Sequence, residues 1–189
     1  YRAAFVPHTD FWVAVCILPF EDVRKAARDA LTGISFIPEQ SKTLLSRFID
    51  QMLVFSDEND IDLAAELGET IRLTFAPLLR ELDMTLVLKL LDHPFATVQA
   101  FAGHVLLDHS TPVDQLPESV LQKLIASGDE RARSVGVRLF GKLPAAALMT
   151  KQDVVISFCI SAHSDVRQAV RPMLEKLVMY NVEFGSVLA

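Results

Sequence analysis

Cysteine is scarce in this sequence of 189 residues. Its two cysteines, Cys16 and Cys159, each lie within an apolar pattern of helical spacing, where a free thiol behaves as a small buried hydrophobe. Two cysteines so far apart provide neither a disulfide framework nor the ligand spacing of a zinc site. Because no secretory signal is recognisable either, we expect an intracellular, cytoplasmic location.

Long hydrophobic runs are also absent. Although 51% of the residues are hydrophobic, no uninterrupted apolar stretch approaches the roughly 20 residues that a membrane helix needs. The richest run, residues 11–20, is about half that length and contains Pro19. This composition predicts a buried helix at that position and no membrane association.

Glycine is sparse, and its seven occurrences are scattered singly along the chain. Neither a phosphate-binding loop nor a dinucleotide fingerprint can be assembled from isolated glycines. The sequence also lacks the Gly-x-Ser-x-Gly pattern of a hydrolase nucleophile, and it contains no His-Glu dipeptide. These absences predict that the chain is not an enzyme and holds no cofactor.

One metal-binding alternative stays open. His104 and Asp108 are four residues apart on a predicted helix, and Asp92, His93 and His109 are close by in sequence. Imidazole and carboxylate groups at this spacing can ligate a transition metal. The competing interpretation makes His93 a turn residue and His104 a solvated helix histidine. We favour the second interpretation and predict no metal site.

Negative charge is concentrated in the first half of the chain. Residues 1–95 contain 15 acidic and 9 basic residues, whereas residues 96–189 contain 9 of each. General nucleic-acid binding depends on a basic surface that neutralises phosphates. The charge distribution therefore makes a nucleic-acid partner unlikely.

Internal repetition is the dominant feature of the sequence. Four segments are similar to one another, and aligning them on their first inward residue superimposes Val23, Val98, Ala132 and Val166. A weaker copy begins at Ile61, which gives intervals of 38, 37, 34 and 34 residues. The similar segments are FEDVRKAARDALTGI, HPFATVQAFAGHVLL, GDERARSVGVRLFGKL and HSDVRQAVRPMLEKL. A period of this length is typical of repeat proteins built from helical pairs.

Each repeat has the same internal plan: an apolar helix, a short polar turn, and a second helix with apolar residues at +3, +4, +7 and +8 from the first inward residue. Pro38, Pro77 and Pro117 stand where first helices are predicted to begin, and Pro172 should interrupt the last second helix. Gly103, Gly136 and Gly141 indicate close helix packing. The pattern predicts a single all-α domain over residues 1–189, made of four to five antiparallel helix pairs at about 9–34, 38–75, 77–109, 116–143 and 150–179.

The Val-Arg pair that opens several second helices resembles the HEAT-repeat family. Val23-Arg24 is followed by Ala26-Ala27, and Val166-Arg167 is followed by Ala169. The resemblance covers residues 11–178, and it implies a right-handed, armadillo-like α-solenoid that acts as an interaction scaffold. Because the chain opens at Tyr1 and not at Met, we also expect a fragment of a longer protein.

The outward positions of the second helices are the candidate binding surface. In the third and fourth repeats these positions hold small or apolar residues, and charged residues flank them in the first and last repeats. We expect a shallow apolar strip on the concave face that accepts a helix or an extended segment of a protein partner, or another domain of the same parent chain. The residues of this surface are Arg28, Ala100, Gly103, Leu107, Ser134, Val137 and Arg171.

Two other functions remain as alternatives to a protein-binding scaffold. The chain could be a spacer or regulatory region of a larger enzyme. It could also be a nucleic-acid-binding HEAT domain, if Arg24, Arg133 and Arg167 and the other arginines of the second helices face a groove. The competing interpretation is that these arginines pack between repeats and pair with carboxylates, and we favour it.

Overall fold

The computed structural model describes residues 8–181, and all regular structure in that range is helical. The prediction of an all-α fold is confirmed. A 3₁₀ turn lies at Val113–Gln115. The α-helices are α1 (Thr9–Cys16), α2 (Glu21–Thr32), α3 (Pro38–Val54), α4 (Asp60–Leu79), α5 (Met84–Leu91), α6 (Ala96–Asp108), α7 (Glu118–Ile125), α8 (Glu130–Gly141), α9 (Ala145–Met149), α10 (Gln152–Cys159), α11 (Ser164–Ala169) and α12 (Arg171–Tyr180).

Two compact units divide the chain, Tyr1–Phe101 and Ala102–Ala189, a division that the repeat pattern does not indicate. In unit 1, α1 packs against α2 and α3, and α4 packs against α2 and α3. In unit 2, α8 packs against α7 and α11, and α12 packs against α8, α9 and α11. Within residues 8–181, no helix is both long enough and apolar enough to span a membrane.

The helix bounds differ from the predicted start of a first helix at Pro77. This proline does not begin a first helix but lies inside α4, two residues after a kink at Phe75 (φ −120°, ψ 21°). Proline cannot donate to the carbonyl of the preceding turn, so the helix bends there and resumes for a few residues. The first helix of the third pair begins only at Met84, where the Asp83 carboxylate accepts a hydrogen bond from Thr85 N–H. An aspartate N-cap is the stronger start signal.

Proline interrupts the last second helix as predicted. The helix α11 ends at Ala169 and α12 begins at Arg171, so that Pro172 occupies the first turn of α12. The backbone at Val170 keeps nearly helical angles (φ −77°, ψ −22°). The interruption is therefore a break of one residue and not a loop. A further short helix, α9, follows Pro144 in a stretch outside the predicted pairs.

A side chain at the start of the second helix holds the turn in four of the five pairs. The residue after the first inward position donates a hydrogen bond to the backbone carbonyl six residues earlier, which lies in the turn, two residues after the first helix ends. The bond gives this turn carbonyl a partner. The four bonds are Arg24 Nη1 to Leu18 O at 2.8 Å, Gln99 Nε2 to His93 O at 2.7 Å, Arg133 Nη1 to Ser127 O at 3.1 Å, and Arg167 Nη1 to Ser161 O at 2.5 Å.

The same arginines also connect neighbouring pairs. In unit 1, Arg24 Nε lies 2.9 Å from Glu66 Oε2, and Arg28 donates to the same carboxylate. In unit 2, Arg133 Nε lies 3.2 Å from Asp165 Oδ2, and both side chains are largely buried. Hydrogen bonds from Arg24 hold the pKa of Glu66 below its ordinary value. The expectation that these arginines pair with carboxylates is confirmed for Arg24, Arg28 and Arg133.

Lysines extend this repetition in unit 2. Lys142 Nζ donates to Leu107 O, and Lys176 Nζ donates to Gly141 O at 3.2 Å and to Leu143 O at 2.5 Å. Lys142 and Lys176 are 34 residues apart, and so are their acceptors Leu107 and Gly141. This separation equals the repeat interval. Each lysine therefore caps the carbonyl end of the preceding second helix, where a positive charge is favourable.

Close helix packing explains two of the glycines, between pairs at Gly103 as predicted and within a pair at Gly136. A Cβ atom at Gly103 would lie 2.6 Å from Val135 Cγ1. A Cβ atom at Gly136 would lie 2.8 Å from Ile125 N and 2.8 Å from Leu124 Cβ. A backbone nitrogen cannot move aside as a flexible side chain can. Position 136 therefore requires glycine for the contact between α7 and α8.

We predict that Gly136→Ala destabilises the chain by about 1–3 kcal/mol, because overpacking outweighs the gain of about 1 kcal/mol in helix propensity. Urea unfolding followed by circular dichroism measures the change. Gly128→Ala is the matched control, since no atom lies within 4 Å of the Cβ position there. Equal stabilities for the two variants would contradict the close contact.

A second prediction concerns the ion pair between α8 and α11. Asp165→Asn should destabilise the chain by about 2–4 kcal/mol, because it leaves the mostly buried Arg133 guanidinium without its countercharge. The control is Asp153→Asn at an exposed position of α10, for which we expect a change below about 1 kcal/mol. Chemical denaturation of both variants, with Arg133→Met added to complete a double-mutant cycle, isolates the pair's coupling energy.

Candidate functional site

The apolar strip predicted on the second helices is not an exposed surface. Val137 is 0% exposed, Leu107 is 6% exposed and Ala100 is 4% exposed. Gly103 is also buried, with the α8 side chain of Val135 directly above its Cα. A partner cannot dock on side chains that are already covered, so the prediction of this strip is wrong.

The reason is that the second helices of the third and fourth pairs are buried on most sides. The prediction assumed one buried stripe per helix and a solvated face opposite to it. Eight of the 13 residues of α6 are buried, at positions that cover every side of the helix. A helix that is apolar all round is an internal helix. The small and apolar residues at the outward positions were therefore a sign of burial.

The remaining predicted residues do not form a continuous exposed surface. The Arg28 side chain is held by the Glu66 carboxylate in unit 1. Arg171 is exposed at the first position of α12, and Ser134 is half-buried on α8 in unit 2. Arg28 does line a cleft of about 410 Å³ between α2 and α4, together with Thr32 and Leu73. That cleft is the part of the predicted second-helix face that the structure retains.

An apolar cleft lies between the first helices α7 and α10 of unit 2. We call it the α7–α10 groove. It has a volume of about 480 Å³, and Phe140 of α8 and Leu143, two residues after that helix, are among its apolar lining residues. Phe140 meets Phe158 of α10 edge to face, with ring centroids 5.4 Å apart and an interplanar angle of 87°. Both rings line the groove.

The walls of the α7–α10 groove follow one helical face on each side. Glu118, Leu121 and Ile125 line it from α7, and Lys151, Val154 and Phe158 line it from the start and body of α10. Both sets have the spacing i, i+3, i+7, which places three residues in a row along a helix. At one end, Lys151 Nζ lies 3.1 Å from Glu118 Oε1. At the other end, Ile125 and Phe158 make the groove apolar.

Local sequence determines this geometry. The helix α8 packs closely against α11, and Arg133 reaches across to Asp165. The short helix α9 lies between α8 and α10 in sequence and packs against α12 and α10. The space between α7 and α10 is not filled by side chains from either helix. Val154 is 40% exposed in this groove although the adjacent Val155 is buried, and two adjacent valines in a sequence do not reveal that difference.

The candidate metal ligands are placed in different environments. His93 is buried in the turn between α5 and α6, as the favoured interpretation of it as a turn residue predicts. Its Nδ1 accepts a hydrogen bond from Phe95 N–H at 3.1 Å, so its Nε2 carries the proton and donates to Phe55 O at 3.1 Å. Both nitrogens are therefore used within the protein. Residues 8–181 contain no group of three or more histidine, cysteine or acidic side chains placed to hold a metal ion.

The two thiols are buried or partly buried. Burial raises the pKa of the Cys16 thiol to about 12, although the charge of Arg28 acts in the opposite direction. Burial also raises the pKa of Cys159, whose Sγ–H donates to Val155 O at 3.3 Å. A thiol with a raised pKa is a poor nucleophile because the thiolate is the reactive form. These cysteines act as packing residues.

Comparison with known proteins gives no family assignment. No protein-family model matches the chain, and no curated protein sequence matches it. Among solved structures, a crystal structure of an engineered protein from the Northeast Structural Genomics Consortium covers 94% of this chain and 83% of its own, with 19% sequence identity and a TM-score of 0.45. A similarity of this size supports no statement about function.

The buried histidine generates a prediction about pH. Burial lowers the pKa of His93 below its ordinary value, although the hydrogen bond to Phe55 O opposes this shift. Between the lowered pKa and the unfolded value of about 6.5, the unfolded state binds more protons than the folded state. The stability that the neutral ring contributes is therefore present above about pH 6.5 and is lost as the pH falls through the folded pKa.

We expect the free energy of unfolding to decrease between pH 7.5 and pH 5 in the wild type and to decrease less in His93→Gln, which cannot titrate there. His93→Gln should itself cost about 1–3 kcal/mol at pH 7.5 through disturbed hydrogen bonds. His163→Gln, at an exposed position, is the control and should retain the wild-type pH dependence. If the pH dependence of stability were the same in His93→Gln as in the wild type, His93 would not be the group whose protonation lowers stability.

Proposed function

We propose that the chain is a protein-interaction module built from HEAT-type helical pairs, and that the α7–α10 groove binds the apolar face of an amphipathic helix from another protein. The observation that supports this proposal is the groove itself. It combines apolar lining residues, among them Phe140 and Leu143, with an ion pair between Lys151 and Glu118 at one end. Amphipathic helices bind other proteins through grooves of this kind.

The shape of the groove favours a helix over a more compact ligand. From Glu118 to Ile125 the lining residues extend over seven positions of α7, or about 10 Å along the axis. The residues from Lys151 to Phe158 extend over the same length of α10. A partner helix laid between them presents about two turns. Residues at i, i+3 or i+4 and i+7 on that helix would enter the groove together.

The electrostatics of the groove favour protein over nucleic acid. Its charged side chains are Asp114, Glu118 and Lys151, and so acids outnumber bases. Phosphate binding requires the opposite balance. Two of the second-helix arginines on which a nucleic-acid surface would depend, Arg24 and Arg133, already donate to carboxylates and to backbone carbonyls. A spacer region, in turn, has no need for an open apolar groove.

The test is selection of helical peptides from a displayed library on the folded wild-type chain, followed by calorimetry of the peptides recovered. We expect Val154→Asp to weaken binding at least about tenfold, which corresponds to 1.4 kcal/mol, because it places an unpaired carboxylate against apolar side chains. Val154 is 40% exposed, so the substitution should leave the fold intact.

The matched control is Ile160→Asp, at a 79% exposed position just after α10 that does not line the groove. It should leave the dissociation constant unchanged. Equal losses in the two variants, or no loss in either, would show that the peptides bind elsewhere and would contradict this function.

A further inference from the structure

A second groove, in unit 1, repeats the design of the α7–α10 groove. It lies between α1 and α3, the first helices of the first two pairs, and has a volume of about 390 Å³. Asp10, Val13 and Ile17 line it from α1 and the residue that follows, and Arg47, Asp50 and Val54 line it from α3. We call it the α1–α3 groove.

The two grooves agree in spacing and in the character of their two ends, and they differ in the middle of one wall, where α3 has Asp50 and α10 has Val154. In both grooves, each helix contributes residues at i, i+3 and i+7. The first residue of each set is charged, and in each groove the two first residues form an ion pair across it. In the α1–α3 groove, Asp10 Oδ1 lies 2.5 Å from Arg47 Nη1. In the α7–α10 groove, the pair is Glu118 and Lys151. The last residue of each set is apolar, Ile17 and Val54 in this case. Each groove therefore has one charged end and one apolar end.

We infer that the α1–α3 groove is a second docking site, which binds a short amphipathic helix of another protein with a lysine or arginine beside its apolar face. The class of ligand rests on the proposed function. The groove has what such a helix needs: an apolar end where Val54 is 67% exposed, and walls about two helical turns long.

Charge complementarity predicts that the partner helix carries positive charge. Arg47 pairs with Asp10, while Asp50 lies one turn further along α3 and forms no ion pair with another residue in the range 8–181. The surrounding sequence is also acidic, since residues 1–95 contain 15 acids and 9 bases. A basic side chain on the partner would pair with Asp50 and be attracted by the excess negative charge. An acidic helix would be repelled by both.

The experiment uses a chain whose α7–α10 groove is blocked, so that it does not depend on binding there. Helical peptides are selected on folded Val154→Asp, and their affinities are measured again after Val54→Asp and, separately, after Asp50→Asn. We expect basic amphipathic peptides. Their binding should weaken at least about tenfold with Val54→Asp, because a carboxylate is placed in the apolar end. It should weaken by about threefold or more with Asp50→Asn, and more salt should weaken it further.

Leu73→Asp is the control, because Leu73 is 66% exposed in the same unit but does not line this groove. It should leave the affinities unchanged. Recovery of no helical peptide, or peptides indifferent to Val54→Asp, would overturn the second site and leave the proposed function of the α7–α10 groove standing. Suppose that Val54→Asp weakens peptide binding, but the peptides are acidic or their affinity does not change with Asp50→Asn. The inference that the partner helix is basic would then be wrong.

Discussion

In four of the five helical pairs, the turn is held by a hydrogen bond between a side chain and a backbone carbonyl six residues earlier. The acceptor lies in the turn, two residues after the first helix ends, and the donor lies in the first turns of the second helix. The bond therefore fixes how one helix leaves the other. Arg24, Arg133 and Arg167 provide the donor in three pairs. In the third pair Gln99 provides it with a neutral amide. The contact therefore requires a donor of sufficient reach, and charge is not essential to it.

Packing between pairs follows from the same side chains. Once Arg133 is held at its own turn, its remaining nitrogens face Asp165 of the next pair, which brings α8 and α11 together. Gly136 allows α7 to approach α8 closely, and Lys142 and Lys176 cap the helices before them. Each of these contacts buries more of the second helices. The apolar groove of unit 2 lies between first helices, α7 and α10.

The sequence was informative about elements and much less so about surfaces. Periodicity predicted the all-α fold. Pro38 and Pro172 marked a start and an interruption correctly, because proline acts on its own turn of backbone. Pro77 misled, since a proline just after a kink and a proline at a helix start have the same sequence pattern. The strip at Leu107 and Val137 failed because a sequence assigns a residue to a side of a helix but does not show what covers that side. The α7–α10 groove was missed because it depends on the space between helices whose paired residues, Glu118 and Lys151, are 33 positions apart.

Docking of a helix in the α7–α10 groove is tested most directly by methyl NMR of the chain with a bound helical peptide. Intermolecular nuclear Overhauser effects are measured from the peptide to isoleucine, leucine and valine methyl groups. We expect them at Leu121, Ile125 and Val154, which line the groove, and none at the buried Leu107 and Val137. Effects confined to methyl groups outside both grooves, with none at Leu121, Ile125 or Val154, would contradict the assignment of this surface as the binding site.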